Sequence, residues 1–463
     1  MAATTLLILG ADGDLTKRLL LPGLGTLLAV DDVDLEVIGS GLRDIGAGEW
    51  RELVGEAFAS VPEPRRSDLV ETARYLRADA TEARALAGLL AACAATPIVY
   101  FALPPAVTAA VCRTLAGLDT ADGMRLALEK PFGSDRESAR ELNALLTRIV
   151  PERQVYRIDH FLGRATVLNI LGTRFANRLI EPVWNRHTIE RIDVVYDETL
   201  ALEGRAGYYD HAGALVDMIQ SHLLAVLALT AMEPIERVDE VVLRDAVAAV
   251  LRRTVVWGDD PVGAGRRARY TAGEIEGRPL PAYADEPGVD PSLQTETLAQ
   301  VVVAVDTDRW RGVPFVLRSG KALGRGRKIA RAVFRAAAPV EGLEGRPRSD
   351  WIELDLRSGE VRIGLTMNGG GDPFVLEQTT LVAQQVPGAL LPYGEVLKGI
   401  LHDDPTLSIR GDIAEECWRI VDPVLAAWRA GRVPLEEYPA GSGGPDGWDE
   451  TARGTASAAQ GVY

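Results

Sequence analysis

Over its first 160 residues the chain alternates short apolar runs with amphipathic stretches, and that alternation admits few folds. TLLILG (5–10), LEVIGSG (35–41), RYLRAD (74–79), PIVYFAL (97–103), RLALEK (125–130) and VYRID (155–159) read as strands. Amphipathic segments such as 80–95 and 106–118 lie between them. Strands joined by helices run parallel and are covered on both faces, so the pattern predicts a Rossmann-like doubly wound parallel sheet, an α/β fold. Ser134 and Glu137 have the spacing of a capping box that starts a helix running to about Ile149.

After residue 160 the pattern changes. A helix over 165–177 leads to a strand at 191–199 and an apolar helix at 212–232. Later strands follow one another directly, at 313–321, 330–336, 351–357 and 361–367, with Ser358-Gly359 closing a hairpin. Helices return near 393–403 and 411–430. This predicts a larger α+β domain with an antiparallel sheet, and a division into residues 1–160 and 161–463. The Gly- and Ser-rich tail from Ala440 is expected to be loose.

Composition narrows the function. With 66 acidic and 50 basic side chains the net charge is −16, which opposes nucleic-acid or anionic-membrane binding, since both need a basic footprint. The three cysteines, Cys93, Cys112 and Cys417, have no metal-ligand spacing and cannot all pair. They predict no metal site and a reducing, cytoplasmic setting. The apolar helix carries Asp217, Gln220, Ser221 and His222 near its middle, which a membrane span would not hold cheaply, so it reads as a buried core helix.

Gly10-Ala-Asp-Gly13-Asp14-Leu15 follows the first strand directly. Gly10 permits a tight turn, and Gly13 lets the backbone approach a pyrophosphate at the start of the next helix. The second strand ends in Ser40, Arg43 and Asp44, and the third in Asp79. Arginine and serine there suit a 2′-phosphate and a carboxylate suits a free hydroxyl; the balance favours NADP, with NAD open.

A dehydrogenase acting on a hydroxyl needs a base, and histidine titrates near working pH. The chain has five: His160, His187, His211, His222 and His402. His222 sits on an apolar helix, where the alternative is a core histidine with satisfied hydrogen bonds. Asp159 ends a strand at the edge where such sheets bind ligands. Spacing alone does not bring the two together.

The stretch RIDHFLGRATVLNILGTRFAN (157–177) resembles the RIDHYLGK…LRFAN signature of glucose-6-phosphate dehydrogenases. GADGDLTKR (10–18) is similar to that family's GxxGDLxKR turn, and LEKPFG (128–133) to its EKPxG loop. EGRAGYYD (203–210), DMIQSHL (217–223) and LRSGK (317–321) resemble EGRxGYxD, DMxQNHL and LRxGK. The resemblance implies a sugar-phosphate 1-dehydrogenase that passes hydride from C1 to NAD(P)+ and yields a lactone. His222 would be the general base and Asp159 its orienting carboxylate. Lys130 would reach both sugar and cofactor; Glu203, Asp217 and Lys321 would contact sugar hydroxyls; His160 and Arg164 would face the 6-phosphate. Gly10, Gly13, Asp14, Leu15, Ser40, Arg43, Asp79 and Lys130 would hold the cofactor. A homodimer or homotetramer, and a role in carbohydrate metabolism, are implied as well.

Several positions depart from the family pattern. Phe161 stands for a phosphate-contacting tyrosine, Arg164 for a lysine, Leu19 for a lysine and Leu42 for an arginine, while Ser221 replaces an asparagine. One lost hydrogen bond to a charged group costs roughly 1.5–3 kcal/mol. Two enzymes remain open, a divergent glucose-6-phosphate dehydrogenase or a paralogue oxidising another aldose, phosphorylated, sulfonated or neutral. A non-catalytic scaffold of the same fold is the third expectation, opposed by the intact Asp159, Asp217 and His222.

Overall fold

The computed structural model describes residues 4–448, apart from 205, 346, 347 and 387. These residues divide into two compact units. The first comprises residues up to Ala165 together with Glu236–Asp245 and Gly388–Glu415, and the second holds the remainder. The contiguous division at residue 160 therefore misses two returning segments. Their attachment is set by packing far apart in sequence: a Cβ at Gly23 would lie 2.6 Å from Tyr393 Cβ, so the helix Leu21–Leu28 and the helix Pro392–Leu401 pack backbone to backbone. The Arg125 guanidinium closes the end of the latter helix, donating to the carbonyl oxygens of Ile400 at 2.6 Å and Leu401 at 3.1 Å.

The first unit is built on six parallel strands: β1 (Thr4–Leu9), β2 (Leu35–Gly41), β3 (Arg74–Arg77), β4 (Thr96–Phe101), β5 (Arg125–Glu129) and β6 (Val155–Ile158). Their order is β3-β2-β1-β4-β5-β6. Every residue of β1 is buried, as a strand covered on both faces requires. β1 is flanked by β2 and β4, with Thr4 opposite both Leu35 and Thr96. The strand order reverses between β1 and β4, and a crevice opens there at the carboxyl ends of the strands.

The capping box is displaced by one residue from expectation. Asp135 is the cap: its carboxylate accepts from Ser138 N at 2.8 Å, and Ser138 Oγ accepts from the Asp135 N–H at 3.1 Å. An aspartate competes better than a serine for the helix N-terminus, because it brings full negative charge to the unpaired donors.

The second unit carries a ten-stranded sheet. It is mixed and not purely antiparallel: Ile189–Asp197 pairs parallel with Pro314–Gly320, and Leu435–Pro439 parallel with Gly265–Thr271. Long excursions separate both pairs in sequence and leave room for a parallel return. The hairpin at Ser358-Gly359 forms as expected, with Gly359 at φ +74°.

The apolar helix at 212–232 is not one regular helix. Gly213 breaks it at φ 66° and ψ 177°; a wide π-type turn covers Leu215–Leu223, and α-helix resumes over Leu224–Ala231. By length and composition the run Ala206–Ala231 is apolar enough to cross a membrane, yet it is mostly buried. The tail is packed as far as it is described: Trp448 is buried, lies under the Arg266 guanidinium at 4.7 Å, and donates from Nε1 to Glu436 at 3.2 Å. A large indole outweighs the flexible residues around it, correcting the expectation for 440–448.

Candidate active site

In the first unit a cavity of about 340 Å³ opens at the ends of β1, β2 and β4. Gly10, Gly13, Ser40, Asp79 and Pro104 line it. The turn is closed by Gly10 N and Ala11 N donating to Ser40 O at 2.8 and 2.9 Å, and by Gly13 N donating to Gly10 O at 3.1 Å. Gly10 sits at φ +83°, and a Cβ there would fall 2.2 Å from Ala102 O. Only glycine allows this approach. Ser40 Oγ is buried and has no hydrogen-bond partner among the described residues. Asp79 accepts from Thr81 Oγ1 at 2.6 Å and Thr81 N at 2.9 Å, bonds that hold its carboxyl below the usual range.

The remaining cofactor-binding residues named from the sequence lie outside that lining. Leu15 packs against the core, and Asp14 and Arg43 are exposed, the Arg43 carbonyl accepting from the Tyr75 hydroxyl at 2.9 Å. A residue that sequence reasoning passed over, Asp12, does line the cavity, and its Oδ1 would lie 2.3 Å from a Cβ at Gly41. Leu19 and Leu42, at two positions where cations were expected, are exposed.

The same unit gathers a second cluster beyond β5 and β6. Asp159 is 2% exposed and accepts from Phe161 N at 2.9 Å. His160 stacks on Tyr393, with ring centroids 5.7 Å apart and planes 14° apart. Arg164 lies over the Phe161 ring, its guanidinium carbon 5.2 Å from the centroid. The aromatic face thus steadies the cation at a position where a tyrosine hydroxyl was expected.

Glu129, next to Lys130, was not singled out from the sequence. Tyr100 and Tyr393 hydrogen bond its buried carboxylate. Burial dominates and pushes it up to about 7, against the lowering effect of both hydroxyls and of Lys130. A carboxyl raised from its ordinary value near 4.5 contributes stability that is fully present below about 4.5 and is lost as pH rises through about 7. Thermal melts at pH 5 and pH 8 should therefore show wild type losing stability relative to Glu129→Gln between the two. Parallel behaviour of both proteins would mean that Glu129 ionises normally.

In the second unit Lys321 Nζ meets Glu198 at 2.8 Å and lies 5.1 Å from the centroid of the Tyr209 ring. Lys328 donates to the Tyr196 hydroxyl at 2.7 Å and sits 3.7 Å from Glu198. Glu203, named from the sequence, is exposed and pairs with Arg278 at 2.8 Å. Glu198, which the sequence motifs do not name, follows Asp197 at the end of the strand Ile189–Asp197. Arg325, Arg327 and Lys328 form a basic run in sequence that is structural in part, since Arg327 pairs with the buried Asp197 at 2.8 Å.

Asp217 takes a hydrogen bond from the Tyr208 hydroxyl, and His222 is 1% exposed. Both lie on the wide-turned segment Leu215–Leu223. In an ordinary α-helix, residues five apart point about 140° from one another. In a π-helix, whose backbone bonds join i to i+5, the wider turn reduces that angle to about 50°. The irregular winding thus brings positions 217 and 222 closer to one face of the helix than regular α winding would. Among the described residues no group of three or more His, Cys, Asp or Glu could hold a metal ion.

Comparison with known proteins agrees along the whole chain. The family model for the glucose-6-phosphate dehydrogenase NAD binding domain matches residues 7–169, and that for the C-terminal domain matches 171–458. A glucose-6-phosphate 1-dehydrogenase of Treponema pallidum is 35% identical, covering 98% of this chain and 95% of its own. One from Gluconobacter oxydans is 36% identical over 95% and 94%. Among solved structures, the Mycobacterium avium enzyme superposes with a TM-score of 0.82 at 31% identity, covering 98% of both chains. A glucose-6-phosphate dehydrogenase in complex with glucose 6-phosphate gives 0.86 at 25% identity, again covering 98% of both.

Proposed function

Because the chain belongs to the glucose-6-phosphate dehydrogenase family, we propose that it oxidises C1 of glucose 6-phosphate, with NADP as acceptor, to the 1,5-lactone. The single observation that carries the reading is the full-length family match with Asp159, Asp217 and His222 in place. A bound NADP would supply the acceptor for the C1 hydride. The cradle suits a dinucleotide: glycine at 10 keeps the strand end open, and Ser40 Oγ offers a free hydroxyl beside it.

His222 takes the proton of the C1 hydroxyl, and Asp159 orients its imidazole. Glu198 and Lys321, already paired at 2.8 Å, bind sugar hydroxyls together with Asp217. Glu198 takes the part that the motif reading gave Glu203. His160 and Arg164 receive the 6-phosphate, and Lys130 serves both ligands. Arg43 and Ser40 take the 2′-phosphate, with Gly10, Gly13, Asp14, Leu15 and Asp79 supporting the dinucleotide. Residues 1–160, joined by 236–245 and 388–415, form the nucleotide domain; the rest, within 161–463, binds substrate and carries the contacts of a cytoplasmic homodimer or homotetramer. Exposed Leu381 and Val382 on the edge strand Leu376–Gln384 support that last assignment.

Absorbance at 340 nm with glucose 6-phosphate and either NADP or NAD tests the reading. A second reading is favoured by Phe161, Leu19 and Leu42, three positions where an anion contact is lost: a paralogue for another aldose. Turnover with an unphosphorylated aldose and none with glucose 6-phosphate would establish it. Within the first reading, Glu198→Gln should raise KM for the sugar phosphate about tenfold, the value of a hydrogen bond to a charged group, whereas Glu203→Gln should leave it within about twofold. The reverse ranking would restore Glu203 to the site.

A further inference from the structure

We propose that Glu296 is a positioning residue for this reaction: its buried carboxylate fixes the start of the Leu215–Leu223 segment and hence the placing of Asp217 and His222. The proposal rests on the functional reading above for the roles of those two residues. Its geometry stands apart from that reading.

Glu296 is 6% exposed, and its Oε1 accepts from Leu215 N at 3.0 Å. Its backbone oxygen accepts from Ala214 N at 3.2 Å. One residue thus satisfies two successive donors at a helix start, where four would otherwise be orphaned. Gly213 makes this possible. Its φ of 66° and ψ of 177° lie in a region open essentially to glycine, and a Cβ there would stand 2.3 Å from Glu296 Oε1.

The neighbours of Glu296 tie the same segment to the sugar-binding lysine. Thr297 O accepts from Lys321 N at 2.8 Å, and the Tyr438 hydroxyl bridges Thr297 Oγ1 at 2.8 Å and Lys321 O at 2.7 Å. Thr295 Oγ1 donates to Asp210 O, in the helix before Gly213. Residues 295–297 therefore hold Lys321 and the start of the Asp217–His222 segment from a single strand entrance.

Among the described residues no guanidinium hydrogen bonds the carboxylate to make it a plain structural ion pair. Arg267, which faces it, donates to Val433 O, and Arg429 acts only through space. Tyr209 and Tyr283 are further titratable groups near it among the described residues. Burial pushes Glu296 up to about 7, opposed by the Leu215 N–H and these arginines. Above that pH the charged form holds the helix start most strongly.

The test uses the full chain with Glu296→Ala, Glu296→Gln and Gly213→Ala, steady-state kinetics and backbone hydrogen exchange. Glu296→Ala should raise KM for glucose 6-phosphate about tenfold and lower kcat, with KM for NADP within about twofold. Glu296→Gln, which keeps an acceptor oxygen, should recover most of this, and Gly213→Ala should copy the alanine variant. Amides 214–223 should exchange faster in Glu296→Ala than in wild type. A loss of melting temperature with both KM values unchanged would reduce Glu296 to a structural residue. Unchanged exchange over 214–223 overturns the proposal even if wild type fails to turn over glucose 6-phosphate, a failure that would strike the functional reading alone.

Discussion

With His222→Asn, kcat falls by about 10²–10⁴-fold and KM for glucose 6-phosphate changes little. Asparagine keeps a hydrogen-bonding side chain of similar reach but cannot accept the hydroxyl proton at neutral pH. The substitution is small enough for the Leu215–Leu223 segment to keep its winding, and circular dichroism with a thermal melt would verify this. Rates measured over pH 6 to 9 complete the test. A variant that works at near-normal rate would take His222 out of the mechanism, and with it the role assigned to Asp159.

Gly10→Ala is the second large effect. The new Cβ would stand 2.2 Å from Ala102 O, in backbone on both sides, so no side chain can swing away to receive it. Overpacking of this kind costs about 1–3 kcal/mol. An alanine held at φ +83° adds on the order of 1 kcal/mol. The turn would open or shift, and it carries the floor of the nucleotide cavity. Expected are a lower denaturant midpoint and at least tenfold weaker NADPH binding, read by fluorescence titration. If binding survived while stability fell, the cavity at β1 and β4 would not be the cofactor site.

Neither effect depends on the places where sequence reasoning fell short, and those places share a cause. The capping box was offset because Ser134 and Asp135 both suit a cap; the contest is decided by charge at the helix end. Glu203 is named by a motif, and Glu198 is not. What distinguishes them is a partner 123 residues away, Lys321, which meets Glu198. Glu129 looked like an ordinary motif residue until Tyr393, from a returning segment, was found on it. Glu296 carried no signal at all.

From residues alone came the alternation that makes a parallel sheet, the glycine turn after the first strand, and the order of motifs that marks the family. All of these are local: they rest on spacing along the chain and on what a backbone can do at one position. Tertiary structure alone decided the π winding that carries Asp217 and His222, the carboxylate that starts it, and the lysine that meets Glu198. Side chains distant in sequence set those features by competing for the same buried donors and the same space, and a linear pattern does not record that competition.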